Sequence, residues 1–252
     1  MALDSSAVRP EQILDIPSDA RRVFSTLQAG GVAIIPVTVG YAVIATSPIA
    51  LQKVFDTKQR KPHKRHAMVG SYDLHRSIHD LPPLQAGMVK LLAQDLNIPF
   101  AAIAPFRPDH PIIQSLGAET LAKSSVDGTI AILMNGGVLQ DELARLAMEA
   151  GVPLMGSSAN LTGRGTKRCV EDIEPEIIAA ADVVIDYGCQ PHVYPRTSSS
   201  MFDFKNMRVV RFGACYHVIQ DAFRRWYGIR LPDDPGREAL FSGHVGQEAN
   251  QY

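Results

Sequence analysis

Gly30-Gly31 ends an amphipathic stretch and is followed at once by Val32-Ala-Ile-Ile35, an unbroken apolar run closed by Pro36. Four apolar residues between glycines and a proline are too few for a helix and leave no polar side, so they require a strand covered on both faces. A chain built on such strands must also supply the helices that cover them. The preceding segment does so. Ser18 caps a helix that carries Val23, Phe24 and Leu27 on one face and stops at Gly30.

The same alternation of short apolar runs and amphipathic segments continues along the chain. Tyr41–Ala45 reads as a strand, and Ser47-Pro48 opens a helix to Thr57 with Leu51, Val54 and Phe55 inward. Helices are expected over Pro83–Asn97, Ile112–Ala122, Leu139–Ala150 and Val170–Ala179. Strands are expected at Thr129–Leu133, Val152–Met155, Asp182–Ile185, Ser200–Phe204 and Arg208–Arg211. A last amphipathic helix, Ile219–Tyr227, places Phe223 and Trp226 on one side, with Trp226 expected in the core. Strands and helices do not alternate strictly. The implied fold class is α/β of the mixed α+β kind, a twisted mixed β-sheet with helices packed around it. The expected organisation is a lead-in over 1–17, one domain over 18–214, a C-terminal helix over 215–232 and a polar tail over 233–252.

Composition bounds what such a domain does. A net charge of −1 excludes a surface built wholly for nucleic acid but leaves room for a local basic patch. The three cysteines are far apart and never form Cys-x-x-Cys, which argues against a disulfide framework or a structural zinc site and for a reducing compartment. No basic start precedes an apolar run at the N-terminus, and no apolar stretch is long enough to span a bilayer. The expectation is a cytoplasmic protein without a membrane partner.

Three segments can carry chemistry. In Gly156-Ser-Ser-Ala-Asn-Leu-Thr-Gly163 a buried strand runs into small and polar residues, which let a ligand approach the backbone; a plain turn has the same composition. Lys58-Gln-Arg-Lys-Pro-His-Lys-Arg-His66 holds five cationic residues and two histidines in nine positions with no acid, a cluster that attracts phosphate or a nucleic-acid backbone. Arg196-Thr-Ser-Ser-Ser200 and Arg211-Phe-Gly213 add hydroxyls and a cation near strand ends. His75 and His79, four apart on a helix, share a face as metal ligands can, but no third ligand accompanies them, and no metal site is expected. The phosphate-binding Gly-x-x-x-x-Gly-Lys loop, Gly-x-Gly-x-x-Gly and Gly-x-Ser-x-Gly are all absent.

Taken in order, Gly30-Gly31…Pro36, Tyr41, Lys58-Gln-Arg60, Gly156–Gly163, Ser198-Ser-Ser-Met-Phe-Asp203 and Arg211-Phe-Gly213 resemble the YrdC family. That family makes threonylcarbamoyl-adenylate from threonine, bicarbonate and ATP for modification of tRNA adenosine 37. The resemblance implies a nucleotidyltransferase with a concave basic pocket and magnesium carried by the nucleotide. Lys58 and Arg60 would be the catalytic cations. Lys58, Ser158, Asn160, Ser200 and Arg211 would bind nucleotide, and Tyr41, Arg60, Ser158 and Ser198 the amino-acid substrate. Lys61, Lys64 and Arg65 would offer a weak contact to tRNA or structured RNA. Where the family has Thr-(Asp/Glu)-Thr, this chain has Val37-Thr38-Val39, and Gly156 replaces the first Ser of the loop. What is kept belongs mainly to the nucleotide side. The alternatives are a nucleotide- or double-stranded-RNA-binding protein without catalysis, and a relative acting on another amine.

Overall fold

In the computed structural model, residues 14–60, 64–192 and 198–236 are described. Lys61 and most of the lead-in and tail lie outside them. The elements in chain order are α1 (Ile16–Gln28), β1 (Ala33–Val37), β2 (Gly40–Ala45), α2 (Pro48–Thr57), β3 (Ala67–Val69), α3 (Tyr72–Ile78), α4 (Pro83–Lys90), β4 (Phe100–Pro105), α5 (Pro111–Ser115), α6 (Gly117–Ser124), β5 (Ser125–Val126), β6 (Thr129–Met134), α7 (Val138–Ala150), β7 (Met155–Ser158), α8 (Pro175–Ala180), β8 (Val183–Val184), β9 (Ser200–Asp203), β10 (Arg208–Arg211) and α9 (Tyr216–Tyr227). One mixed sheet runs β10-β9-β4-β6-β3-β7-β2-β1-β8, with β5 paired to β6.

Local chemistry explains most element ends. Ser47 caps α2 by accepting from the Ala50 amide. At α1 the cap is Asp15, which accepts from the Ser18 amide, so the helix begins before the expected Ser18. The expected helix over Ile112–Ala122 is broken at Gly117, whose φ of +68° suits glycine, into α5 and α6. The run Val152–Met155 is not the strand. β7 begins at Met155 and includes Ser157 and Ser158, because these pair with Val43 and Ala42 of β2. Two inner strands carry no clear sequence signal. β3 is three residues at the end of the basic loop, and β4 is rich in alanine, a weak strand former.

The sheet sorts its side chains into three apolar clusters. On one face Ile34, Tyr41, Val43, Ile132 and Phe202 meet helix residues of α2, α3, α4, α8 and α9. On the other face Ala33, Ile35, Ala42 and Ile44 meet α1 and α7. Farther along that second face, Ala101, Ile103, Ala131, Met201 and Val210 form a small cluster containing no helical residue. At β4, β6, β9 and β10 the second face is therefore left to loops and to the polar residues described below.

The C-terminal helix α9 belongs to the first cluster. Phe223 is fully buried and its ring lies 5.1 Å from that of Phe202. Trp226 does not join the core: it is 58% exposed. Tyr227, one turn beyond Phe223, takes the inner place, with ring centroids 6.1 Å apart, and this turns Trp226 outward. No helix among the described residues is long and apolar enough to cross a membrane.

The cysteine expectation is corrected. Cys169 and Cys189 form a disulfide across 20 residues of sequence, and Cys215 is free. Sequence spacing hid the pair because their two segments lie side by side only in the fold, where the Gln190 amide donates to the Arg168 carbonyl at 3.1 Å.

Phe223→Ala should lower unfolding stability by about 3–5 kcal/mol, the usual cost of deleting a buried aromatic ring. Trp226→Ala should change it by less than about 0.5 kcal/mol, as exposed positions do. Urea denaturation of both variants checks this pair of expectations.

Candidate functional site

α2 delivers Lys58 as its C-terminal cap residue, in a helix whose inner face is Ala50, Leu51 and Val54. This places the lysine side chain under the end of β7, where it is 2% exposed. Its Nζ donates to the carbonyl oxygen of Ser158 at 2.5 Å and to that of Asn160. The Lys58 carbonyl accepts from the Thr162 amide at 3.1 Å, so the lysine and the Ser157–Asn160 segment hold each other. Burial first, and then the Arg60 charge, lower the Lys58 ammonium to about 7, with Glu174 acting in the opposite sense.

Other cations gather around it. Arg60 donates to the Arg65 carbonyl oxygen, which folds the basic segment back over its own start. Burial lowers Arg60 to about 10, and it remains cationic at neutral pH. Arg211 sits opposite Met201 after a register shift in β10, on the face that carries the helix-free cluster. Its Nε donates to the Ser199 carbonyl oxygen at 2.8 Å and its guanidinium to Ser199 Oγ at 3.1 Å. Burial, then the charge of Arg60, lowers Arg211 to about 10. His66 is buried, and burial with the Arg60, Lys58 and Lys123 charges pushes it down to about 3, so it is neutral. Arg60 thus lies within electrostatic reach of Lys58, His66 and Arg211. No ion pair among the described residues joins Lys58, Arg60 or Arg211 to a carboxylate.

Glu174 is the nearby acid, and it is already engaged. It pairs with Lys167 at 2.7 Å and accepts from the Leu161 amide at 3.1 Å. Burial pushes its carboxyl up, but the Lys167 and Leu161 hydrogen bonds outweigh this and hold it below the usual range.

Seven buried side-chain polar atoms among the described residues have no partner, and five belong to this region: Arg60 Nε, Arg65 Nε, His66 Nδ1, Ser157 Oγ and Asn160 Oδ1. Buried polar groups are almost always paired, so this concentration of unpaired ones is open to a polar ligand or to ordered water. The two arginine Nε–H groups can donate, which suits an anion. Among the described residues no group of three or more His, Cys, Asp or Glu is arranged to hold a metal ion.

The remaining sequence candidates fall as follows. Ser158 faces the same side as Ala42, and Ser157 the opposite side with Val43, by the strand pairing. Ser200 Oγ is occupied: it donates to the Ala214 carbonyl at 2.9 Å and accepts from the Gly213 amide at 3.1 Å. Its neighbour Ser199 is the residue that grips Arg211, a role strand parity could have suggested. Gly213 is required here because an added Cβ would lie 2.4 Å from the Ser199 and Ser200 backbone. Ser198 adopts φ +71° and its carbonyl accepts from the Ala214 amide. Tyr41 is fully buried; its hydroxyl lies 3.0 Å from Asp186 Oδ1 and 2.7 Å from the Gly188 carbonyl oxygen and accepts from the Tyr187 amide, so it is occupied by the protein. Val37 and Val39 are buried against α1 and α7. Lys64 and Arg65 are half-buried. His75 and His79 bond to each other, Nδ1 to Nδ1 at 2.8 Å, while His79 Nε2 lies 3.2 Å from the Ile130 carbonyl. That carbonyl must accept from Nε2–H, so His79 Nδ1 accepts and His75 Nδ1–H donates; both rings are neutral, with burial lowering each.

A family model for Sua5, YciO and YrdC proteins, described as "Telomere recombination", matches residues 25–213. The chain belongs to this family. Among solved structures, the hypothetical protein smu.1377c from Streptococcus mutans UA159 is 20% identical, with a TM-score of 0.65 over 84% of this chain and 93% of that one. P. abyssi Sua5 complexed with L-threonine is 16% identical, with a TM-score of 0.64 over 89% of this chain and 61% of that one. HypF in its phosphate- and nucleotide-bound form is 16% identical, with a TM-score of 0.57 over 81% of this chain and 30% of that one. The chain thus spans less than two thirds of Sua5 and less than one third of HypF. These likenesses show the YrdC-like fold. A search of curated proteins found no match.

A bound polyanion would favour the Lys58 ammonium, so binding above about pH 7 takes up a proton. The affinity for a polyanion such as inorganic tripolyphosphate should therefore be level below about pH 7 and weaken above it, by up to about tenfold per pH unit. Calorimetry across this range checks the trend, and Lys58→Met should bind weakly with no such slope.

Proposed function

We propose that this chain is a carbamoyl-adenylate synthase, taking ATP, bicarbonate and L-threonine or a related amino acid. The observation that carries this reading is the concentration of unpaired buried polar atoms on Arg60, Arg65, His66, Ser157 and Asn160, beside the cations Lys58 and Arg211. The two arginine Nε–H groups there are donors that an anion can satisfy. Membership of the Sua5, YciO and YrdC family, together with the L-threonine in P. abyssi Sua5 and the nucleotide in HypF, supports ATP and an amino acid as the occupants.

The chemistry asks little covalent work of the protein. Bicarbonate supplies carbon dioxide with loss of water, and the substrate amine attacks its carbon to give a carbamate. A carbamate oxygen then attacks the α-phosphorus of ATP, the bond to the bridging oxygen breaks, and pyrophosphate leaves with the electron pair. Negative charge builds on the leaving pyrophosphate, and Lys58, Arg60 and Arg211 are the groups to offset it. Their fixed positions, Lys58 on two carbonyls and Arg211 on Ser199, mean little reorganisation during reaction. Magnesium enters with the triphosphate it neutralises, as part of the substrate. Neutral His66 can accept a hydrogen bond from the amine or a hydroxyl.

The amino-acid side is where this chain departs from its family. Val37 and Val39 offer no hydroxyls, and the Tyr41 hydroxyl is engaged by Asp186 and Gly188. The amine specificity of this chain is therefore broader than, or different from, that of a threonine-specific synthase.

Incubation with ATP, bicarbonate and magnesium should release pyrophosphate only when an amino acid is present, with threonine the first to try. Lys58→Met and Arg60→Met should each lower the rate by about 100-fold or more, the usual effect of removing a group that stabilises developing charge. Pyrophosphate release that ignores both substitutions, or none with any amino acid, would remove the proposal.

A further inference from the structure

Two loop segments run side by side along the rim of this site, and each is tied to a different part of it. Residues 164–170 follow the Ser157–Asn160 segment. In them Lys167 pairs with Glu174, the acid that also takes the Leu161 amide next to Asn160. The Lys167 carbonyl accepts from the Tyr41 amide in β2 at 2.9 Å, and the backbone of this segment lies so close to Gly40 that a Cβ there would meet the Lys167 carbonyl at 2.6 Å. Residues 186–192 hold β2 from the other side. The Gly188 carbonyl accepts from the Tyr41 hydroxyl at 2.7 Å, and the His192 amide donates to the Thr38 carbonyl at 2.9 Å. Six residues after His192 the chain reaches Ser198, and then Ser199, which grips Arg211.

The two segments are joined to each other at one place. Gln190 and Arg168 exchange hydrogen bonds, from the Gln190 amide to the Arg168 carbonyl and from Arg168 Nε to the Gln190 carbonyl. Immediately beside them is the Cys169–Cys189 disulfide. Cys189 is exposed and Cys169 half-buried, so a small dithiol can reach the bond from solvent.

We propose that this disulfide is a thiol-responsive clip: when formed, it holds both rim segments so that Lys167 and Glu174 keep the Ser157–Asn160 segment beside Lys58 preorganised for a polyphosphate, and when reduced, it releases them and weakens binding. The polyphosphate part rests on the function proposed above. The exchange balances. A thiolate of a dithiol reductant attacks Cys189 Sγ, the disulfide bond breaks, and Cys169 leaves as a thiolate that takes a proton. The second thiol of the reductant then attacks the mixed disulfide, releasing Cys189 as a thiol and leaving the reductant as its own disulfide. A disulfide oxidant runs the same steps in reverse. Weaker binding follows because ordering two freed loops falls on the ligand, whereas in the closed state the crosslink has already ordered them.

The test uses Cys215→Ser protein, so that only the two clip thiols change. Hydrogen–deuterium exchange of residues 164–170 and 186–192 is compared without ligand in the oxidised protein and in protein held reduced with dithiothreitol. The affinity for magnesium ATP is measured in both states by calorimetry. Exchange in both segments should rise on reduction, the Kd should rise at least tenfold, and reoxidation should restore both. A variant that also carries Cys169→Ser and Cys189→Ser should bind as the reduced protein does and ignore dithiothreitol; reduced Cys215→Ser protein keeps the comparison valid if that variant folds poorly. Unchanged exchange overturns the clip. Measurable ATP binding with equal Kd in both states overturns its control of the site. No ATP binding in either state overturns the polyphosphate reading, and the change in hydrogen exchange then decides separately whether the clip exists.

Discussion

The Lys58 ammonium under the end of β7 is the interaction on which the site depends. A buried cation without a carboxylate partner costs several kcal/mol, and here only two backbone carbonyls, those of Ser158 and Asn160, meet it. The molecule bears this cost in a part of the fold where Arg60, half-buried, lies near buried His66 and half-buried Arg211. Like charges held together in a partly dry site raise the free energy of the ligand-free protein. The same arrangement makes an incoming anion more favourable than it would be at a solvated surface, because part of the desolvation has occurred already.

The sheet makes this arrangement possible by covering its second face unevenly. α1 and α7 close it over β1 and β2, while Ala101, Ile103, Ala131, Met201 and Val210 have no helical neighbour in their cluster. The register shift in β10 sets Arg211 opposite Met201, and Gly213 lets the backbone at Ser199 and Ser200 come close enough to hold it.

The cations of this site are legible in the sequence, and the rest only unevenly. The short apolar runs bounded by Gly and Pro specify β1, β2 and β6, because a strand buried on both faces leaves little alternative. β3 and β4 escape because three residues in a basic loop and an alanine-rich run carry no period of their own; tertiary pairing makes them strands. Lys58, Arg60 and Arg211 stand out as cations in an ordered set of motifs. Ser199 and Glu174 do not, since one differs from its neighbours only by strand parity and the other acts from a distant helix start. The disulfide is hidden for a related reason: two cysteines 20 residues apart become neighbours only when residues 164–170 and 186–192 both wrap the turn between β1 and β2. Trp226 is placed wrongly by periodicity because a repeat alone does not say which of two adjacent aromatic residues wins the inner position.

Whether the buried cations form one polyphosphate site is tested most directly by a crystal structure of the chain with a non-hydrolysable ATP analogue and magnesium. The polyphosphate should lie within hydrogen-bond distance of Lys58, Arg60 and Arg211, with Arg60 Nε or Arg65 Nε gaining a partner. An analogue bound elsewhere, with these atoms still unpaired, would contradict a single polyphosphate site.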